Sequence, residues 1–312
     1  MDHGEEIKMI EILTAILSGS VVLATPILFS ALGEIYDERA GVLNLGIEAT
    51  MSLTAFVSLW ISYSSGSYLV GTLAAILVGG LVALIHSFAC VTIGINQLIS
   101  GLLILTLADG IANFSYRNLS ASTTLIIEPL KAINIPVLSQ IPVLGPILFQ
   151  HNIFVYLAFL FAIILGYILY KTTWGLKIRG VGENPEACDA AGMNVNRIRH
   201  LCVILSGVMA GLGGASLTLG YIGLYDRGIA AGRGWIAIIV VIFSRWSPYR
   251  AILGSLIFGI GYSVASNLIG IGAGTSYHFL LMLPYIIAII VISFTFKRTK
   301  GPSALTVPYK RK

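Results

Sequence analysis

Eight apolar stretches long enough to cross a bilayer follow one another along this chain of 312 residues, at about 12–32, 43–63, 68–94, 98–114, 152–170, 201–224, 250–269 and 279–296. A bilayer core about 30 Å thick takes roughly 20 residues of α-helix. Nothing else constrains the fold as much. The expectation is an all-α polytopic membrane protein, a single transmembrane domain over residues 1–312 with about 8–10 helices and its core within residues 12–296. A ninth run, Trp235–Phe243, is too short to span alone. It reads as a half-helix or as one arm of a hairpin with 250–269. The stretch 68–94 is long enough to break at Gly79-Gly80. The first half ends near residue 150 and the second begins at 152, an arrangement found in transporters built from two related halves.

Composition supports this class. Hydrophobic residues make up 56% of the chain and charged residues 11%, where soluble domains carry about a quarter charged residues. The 34 glycines suit helices that approach closely. The N-terminal MDHGEEIKMIE is acidic where a secretory signal is basic, so the first apolar stretch is expected to stay as an anchor. Cys90, Cys188 and Cys202 are scattered and odd in number, and they suggest neither a disulfide framework nor a zinc site. The net charge of +5 reads as a topology signal, with no nucleic acid implied.

Orientation follows the basic loops. The loop 171–200 carries Lys171, Lys177, Arg179, Arg197 and Arg199. The tail 297–312 carries Lys297, Arg298, Lys300, Lys310, Arg311 and Lys312, and the turn SRWSPYR carries Arg245 and Arg250. All three are expected in the cytoplasm. The loop 115–151, with its Pro-punctuated IPVLSQIPVLGP, is then outside and is suited to cap the external mouth. The N-terminus falls outside by parity. Arg39 says little, because Glu34, Asp37 and Glu38 accompany it.

Inside the loop 171–200 lies a short helix with its own punctuation. Asn184 is the candidate N-cap, Pro185 the first helical residue, Glu186 an acid in the first turn, and Gly192 the stop. Ala187, Cys188, Asp189, Ala190 and Ala191 lie between. Two turns, roughly 10 Å long, make a small capped element shaped to sit in a groove on another protein.

The chain has no GxxxxGK[ST] phosphate loop, no HExxH, no redox CxxC and no Ser-His-Asp context, so it is not expected to be an enzyme. Polar residues in or beside the spans are the functional candidates. Asn44 and Glu48 stand at i, i+4, which places both on one helix face if the helix begins before them. They read as a polar lining of a translocation path, or as groups that satisfy nearby backbone. Asn96 and Gln97 mark a turn between spans. Asp109 and Asn113 repeat the i, i+4 spacing; Asp109 either faces a pore, where it could serve as a proton-linked carboxylate, or lies close to the outer interface, the reading favoured by its place near the end of the apolar stretch. His86, His278, Ser266 and Asn267 are expected to pack rather than bind. The GVMAG at 207–211 has the spacing of a close helix crossing.

The blocks GEIYDERAGVLNLGIEA (33–49), NQLISG (96–101), GLKIRGVGENPEACDAAGMNVNRIR (175–199) and GRGWIAIIVVIFSRWSPYRAILGSLIFG (232–259) resemble the membrane permeases of ABC importers of the branched-chain amino acid and simple-sugar class. Within that class they look most similar to nucleoside permeases. The family pattern has Gly after Glu48, where this chain has Ala49, and it does not include Asp109. The resemblance implies a translocation path for nucleosides or related sugars, and Asn44, Glu48, Asn96 and Gln97 are the residues expected to line it. It makes Asn184, Pro185, Glu186, Ala187, Asp189, Ala190 and Gly192 an ATPase-coupling helix. Also implied are a separate ABC ATPase subunit that holds ATP-Mg, no cofactor on this chain, a second homologous permease in a heterodimer, and an extracellular solute-binding lipoprotein. The place implied is a bacterial plasma membrane, among its lipids, with the C-terminus cytoplasmic. An ion-coupled secondary carrier with Glu48 and Asp109 as relay groups is the rival reading.

Overall fold

The computed structural model describes residues 3–120, 124–270, 277–295 and 300–310. The side chain of His278, and Lys297, Arg298, Arg311 and Lys312, lie outside the described residues.

Helix α1, His3–Arg39, runs without interruption through Pro26 and past the expected end at residue 32. At 1.5 Å per residue it is about 55 Å long. Glu34, Asp37 and Glu38, expected beside a loop, therefore lie on its last turns and are buried. A turn over residues 40–46 leads into α2, Ile47–Ser65. The helix starts after Asn44, not before it. Asn44 and Glu48 consequently do not share a helix face, which corrects the spacing argument.

Helix α3, Tyr68–Ser87, is continuous through Gly79-Gly80 and passes into a π-helical turn, Phe88–Ile93. Gly79 packs against the carbonyl of Gly207, where a Cβ would collide. Such an approach is what small residues at a helix crossing permit. Helix α4, Gln97–Ser120, is six residues longer at its C-terminal end than the apolar stretch suggests. The segment 124–152 holds a two-residue antiparallel ladder, β1 (Ile133–Asn134) with β2 (Gln150–His151), and a short helix, α5 (Leu144–Leu148). It folds over one end of the bundle: Ile127 N–H donates to Gly223 O at 2.9 Å, and the Tyr68 hydroxyl to Glu128 O at 2.7 Å.

Helix α6 spans Ile153–Lys171, capped by Asn152, whose side chain accepts from Phe154 N–H and Val155 N–H. Helix α7, Thr173–Glu183, and the short α8, Pro185–Ala190, follow. Helix α9, Val195–Leu217, runs on into a second π-helical turn, Thr218–Ile222. Both π-turns end on a left-handed glycine, Gly94 and Gly223. Gly207 and Gly211 of α9 meet Gly79 and Ala75 of α3, so the GVMAG spacing marks a real crossing.

The short apolar run is a half-helix, α10, Arg233–Phe243. A turn over 244–247 joins it to α11, Pro248–Gly270, and α12 covers Tyr277–Thr295. Among the described residues six helices are long and apolar enough to cross a membrane: α1, α3, α4, α6, α9 and α11. Helix α2 has 19 residues, a stripe of buried hydroxyls at Thr50, Thr54, Ser58 and Ser62, and Ser52 buried on another side.

The described residues of the three basic stretches gather at one end. The Arg39 guanidinium donates to Arg245 O and Trp246 O at 3.3 and 3.4 Å. Ala304 N–H donates to Gly182 O at 2.9 Å. The segment 124–152 lies at the opposite end, against the π-turn of α9.

Candidate functional site

The half-helix α10 begins inside the bundle, and Glu48 meets its first turn there. Glu48 Oε1 accepts from Gly232 N–H at 2.7 Å, and Oε2 accepts from Gly234 N–H at 2.6 Å. The first amides of a helix have no partner within it and carry the positive end of its dipole. A carboxylate placed on them is held rigidly and keeps further lone pairs free. Gly232, at φ +79°, supplies the left-handed entry that lets the chain turn into the helix.

Glu48 also lines a cavity of about 340 Å³ together with Ser52, Thr106, Asp109, Gly228 and Ala230. Asp109 stands mid-way along α4, not at its end, so its expected place near the outer interface is corrected. Its Oδ2 accepts from Asn113 Nδ2 at 2.8 Å, as the i, i+4 spacing suggested. Two carboxylates, two hydroxyls and exposed glycine backbone thus converge on one open space. The arrangement can hydrogen-bond a polar solute that carries several hydroxyl or ring N–H donors.

The other residues expected along this path lie elsewhere. Asn44 makes an Asx turn, its Oδ1 accepting from Gly46 N–H at 2.9 Å, while its own N–H donates to Glu34 Oε1 at 2.9 Å. Gln97 Oε1 accepts from Leu43 N–H at 2.9 Å. Asn96 caps α4, its Oδ1 accepting from Leu98 N–H at 2.9 Å. Asn44 and Gln97 therefore brace the 40–46 turn that presents Glu48. His86 does the same, Nε2 lying 3.1 Å from Leu43 O and Nδ1 2.9 Å from the Ser100 hydroxyl.

A second bracing group was not foreseen. Glu34 joins three elements: Oε1 takes the Asn44 N–H and Oε2 takes the Ser206 hydroxyl of α9 at 3.1 Å. Glu38 Oε2 accepts from Trp246 Nε1 at 2.6 Å. The run of acids in 34–38 was the available signal, but burial alone gives it meaning.

Helix α8 has the punctuation expected. Asn184 Oδ1 accepts from Ala187 N–H at 2.9 Å, Pro185 opens the helix, and Gly192 closes it at φ +82°. Gly192 N–H donates to Asp189 O and Met193 N–H to Cys188 O, which satisfies the last carbonyls. Cys188 points inward, while Ala187, Ala190 and Ala191 are exposed.

A bundle of apolar helices with a polar cavity at the start of a half-helix, and a capped surface helix at one end, defines a multi-pass membrane permease. The chain belongs to the family described as the branched-chain amino acid transport system permease component, whose model matches residues 16–292. It is 35% identical to the guanosine ABC transporter permease protein NupQ of Bacillus subtilis, over 96% of this chain and 98% of that one. It is 33% identical to the nucleoside ABC transporter permease protein NupC of Lactococcus lactis, over 97% and 98%. The putative glucose ABC transporter permease protein TsgC13 of Haloferax volcanii is 32% identical, over 95% and 97%. Bacillus subtilis and Lactococcus lactis each have a second, less extensive match that carries the same transport description, NupP at 24% identity and NupB at 30% over 110 residues.

Proposed function

We propose that this chain forms the translocation path of an ATP-driven importer of nucleosides, with related sugars as the neighbouring class. Glu48 carries the reading, because a carboxylate fixed on the start of a half-helix and opening on a cavity is a transport-site geometry. Asp109, Ser52 and Thr106 complete a polar wall to which ribose hydroxyls and base N–H groups can donate. The relatives named for guanosine and nucleoside transport support the substrate class.

ATP would be held by a separate ATPase subunit that docks on α8, which places the end bearing α7 and α8 in the cytoplasm and the segment 124–152 outside. The solute-binding lipoprotein would approach that outer segment. The paired permease names in two organisms support a second permease beside this one. In the cycle, ATP-driven closure of the ATPase pair moves α8, and α9 carries the motion to the turn before Glu48 through Ser206 and Glu34.

Tagged chain purified in mild detergent is expected to bring an ATPase subunit and a second permease with it. Reconstituted with the binding protein, the complex is expected to take up nucleoside only when ATP is supplied. A chain that purifies alone, and whose uptake needs no ATP and is abolished by an ionophore, would make it an ion-coupled carrier instead.

A further inference from the structure

Read as a basic extension, the C-terminal segment needs no fixed place, yet residues 300–310 fold across the end of the bundle that bears α8. Ala304 N–H donates to Gly182 O at 2.9 Å. The Ser303 hydroxyl donates to Glu183 Oε2 at 2.9 Å. Val307 O accepts from Arg199 Nη1 at 3.0 Å, and Arg199 Nε donates to Ala40 O at 3.0 Å. Arg199 is only 2% exposed. One buried guanidinium thus joins α9, the turn after α1 and the C-terminal segment.

Backbone fit is equally close. A Cβ at Gly182 would strike Arg39 O, with Pro302 just beyond. At Gly41, φ +90°, it would meet Ala304 O and Arg199 Nη2. Pro302 and Ala304 are buried, whereas Lys310 is back at the surface. A cleft of about 240 Å³ opens there between α8 and the chain end, lined by Glu186, Asp189, Ala190, Tyr309 and Lys310.

Burying an arginine is costly unless it is hydrogen-bonded; here Nε and Nη1 donate to the turn after α1 and to the C-terminal segment, while Nη2 is buried without an acceptor. An extension serving only as a positive charge at the membrane would have no use for such an anchor. We infer that residues 301–310 form the second wall of the surface on which the ATPase subunit docks, with Arg199 as the positioning residue that holds this wall beside α8. The inference rests on the reading of α8 given under Proposed function. Glu186, Asp189 and Ala190 of α8 line the cleft together with Tyr309 and Lys310, so a subunit seated on α8 meets the C-terminal segment beside it.

The test places a photo-crosslinking amino acid at Ala187 or at Lys310 of the full chain, co-produced with its partner subunits. Both positions are expected to crosslink to the ATPase subunit. Crosslinking from Ala187 alone overturns the inference and leaves the α8 reading standing. Crosslinking from neither removes the α8 reading as well. In parallel, Arg199→Gln is expected to lower the ATPase subunit recovered with the permease at least fivefold, with the amount of permease in the membrane unchanged. Arg199→Lys is expected to restore part of it. Unchanged recovery in Arg199→Gln and in a chain ending at Lys300 overturns the inference. Where either variant lowers the permease itself, the crosslinks decide.

Discussion

Glu48 and Gly234 lie 186 residues apart in sequence and share a 2.6 Å hydrogen bond, carboxylate to backbone amide. Gly234 has no space for a side chain: a Cβ would sit 2.6 Å from the Glu48 Cα. Helices α2 and α10 are therefore locked together at the cavity wall, by contact and by charge.

Glu48→Gln turns one of the two acceptors into a donor that faces an N–H. A hydrogen bond to a charged group contributes about 1.5–3 kcal/mol, so transport is expected to fall roughly 10- to 100-fold while the complex still assembles. Uptake by reconstituted vesicles and subunit recovery measure the two separately. Normal transport by Glu48→Ala would remove Glu48 from the path. Gly234→Ala is expected to lower assembly itself, because its methyl group meets Glu48 backbone.

The coupling role of α8 can be separated from its folding. Asn184→Ala removes the cap and costs about 1 kcal/mol locally. Pro185→Gly together with Ala190→Arg disturbs the exposed face. The double variant is expected to insert normally and to hydrolyse ATP with little uptake. Unaltered uptake per ATP would end the assignment.

Glu34→Ala leaves the Asn44 N–H and the Ser206 hydroxyl without their acceptor. Unsatisfied buried groups cost about 1–3 kcal/mol each, and the melting temperature of the purified complex is expected to fall by several degrees. Because the turn 40–46 presents Glu48, uptake should fall further than the loss of stable protein explains. Equal losses in both would make Glu34 structural only.

Gly207→Leu tests the α3–α9 crossing. The Gly79 carbonyl and the Ala83 methyl occupy the space its side chain needs. Little folded protein is expected in the membrane, whereas Gly110→Leu, which meets open space, is expected to be tolerated. Normal yield of Gly207→Leu would show that the two helices can separate there.

His151 supplies a pH dependence at the end away from α8. Burial pushes its pKa below the ordinary 6.5, although its Nε2 lies 2.7 Å from Ile147 O. The unfolded chain then binds a proton that the folded one refuses, so stability is lost as pH falls from about 6.5 toward the depressed folded value. Thermal unfolding followed from pH 7.5 to 5 should show that loss, and His151→Gln should flatten it. An identical pH profile in that variant would place the dependence elsewhere.

Much of this protein was legible without its structure. The apolar stretches located the long helices, because a segment that must satisfy its backbone inside a bilayer declares itself by length and composition. The half-helix was visible as a run too short to span. Helix α8 was visible through Asn184, Pro185 and Gly192, since caps act within a few residues of themselves. The i, i+4 pairing of Asp109 with Asn113 was readable for the same reason.

What failed were statements about neighbours distant in sequence. Asn44 and Gln97 look like pore residues in sequence, but the turn they brace lies off the cavity. Asp109 looks peripheral until α2 and the chain before α10 are placed beside it.

By itself the sequence determined the membrane class, the order of helices and the punctuation of α8, all set by forces that act along a few turns of chain. Only the tertiary structure decided that Glu34 bridges α1, the 40–46 turn and α9, that Glu48 seats on α10, and that Arg199 fastens the C-terminal segment. A buried charge is defined by the partners that surround it, and those partners come from segments as much as 186 residues away. No local pattern can record which of them will arrive.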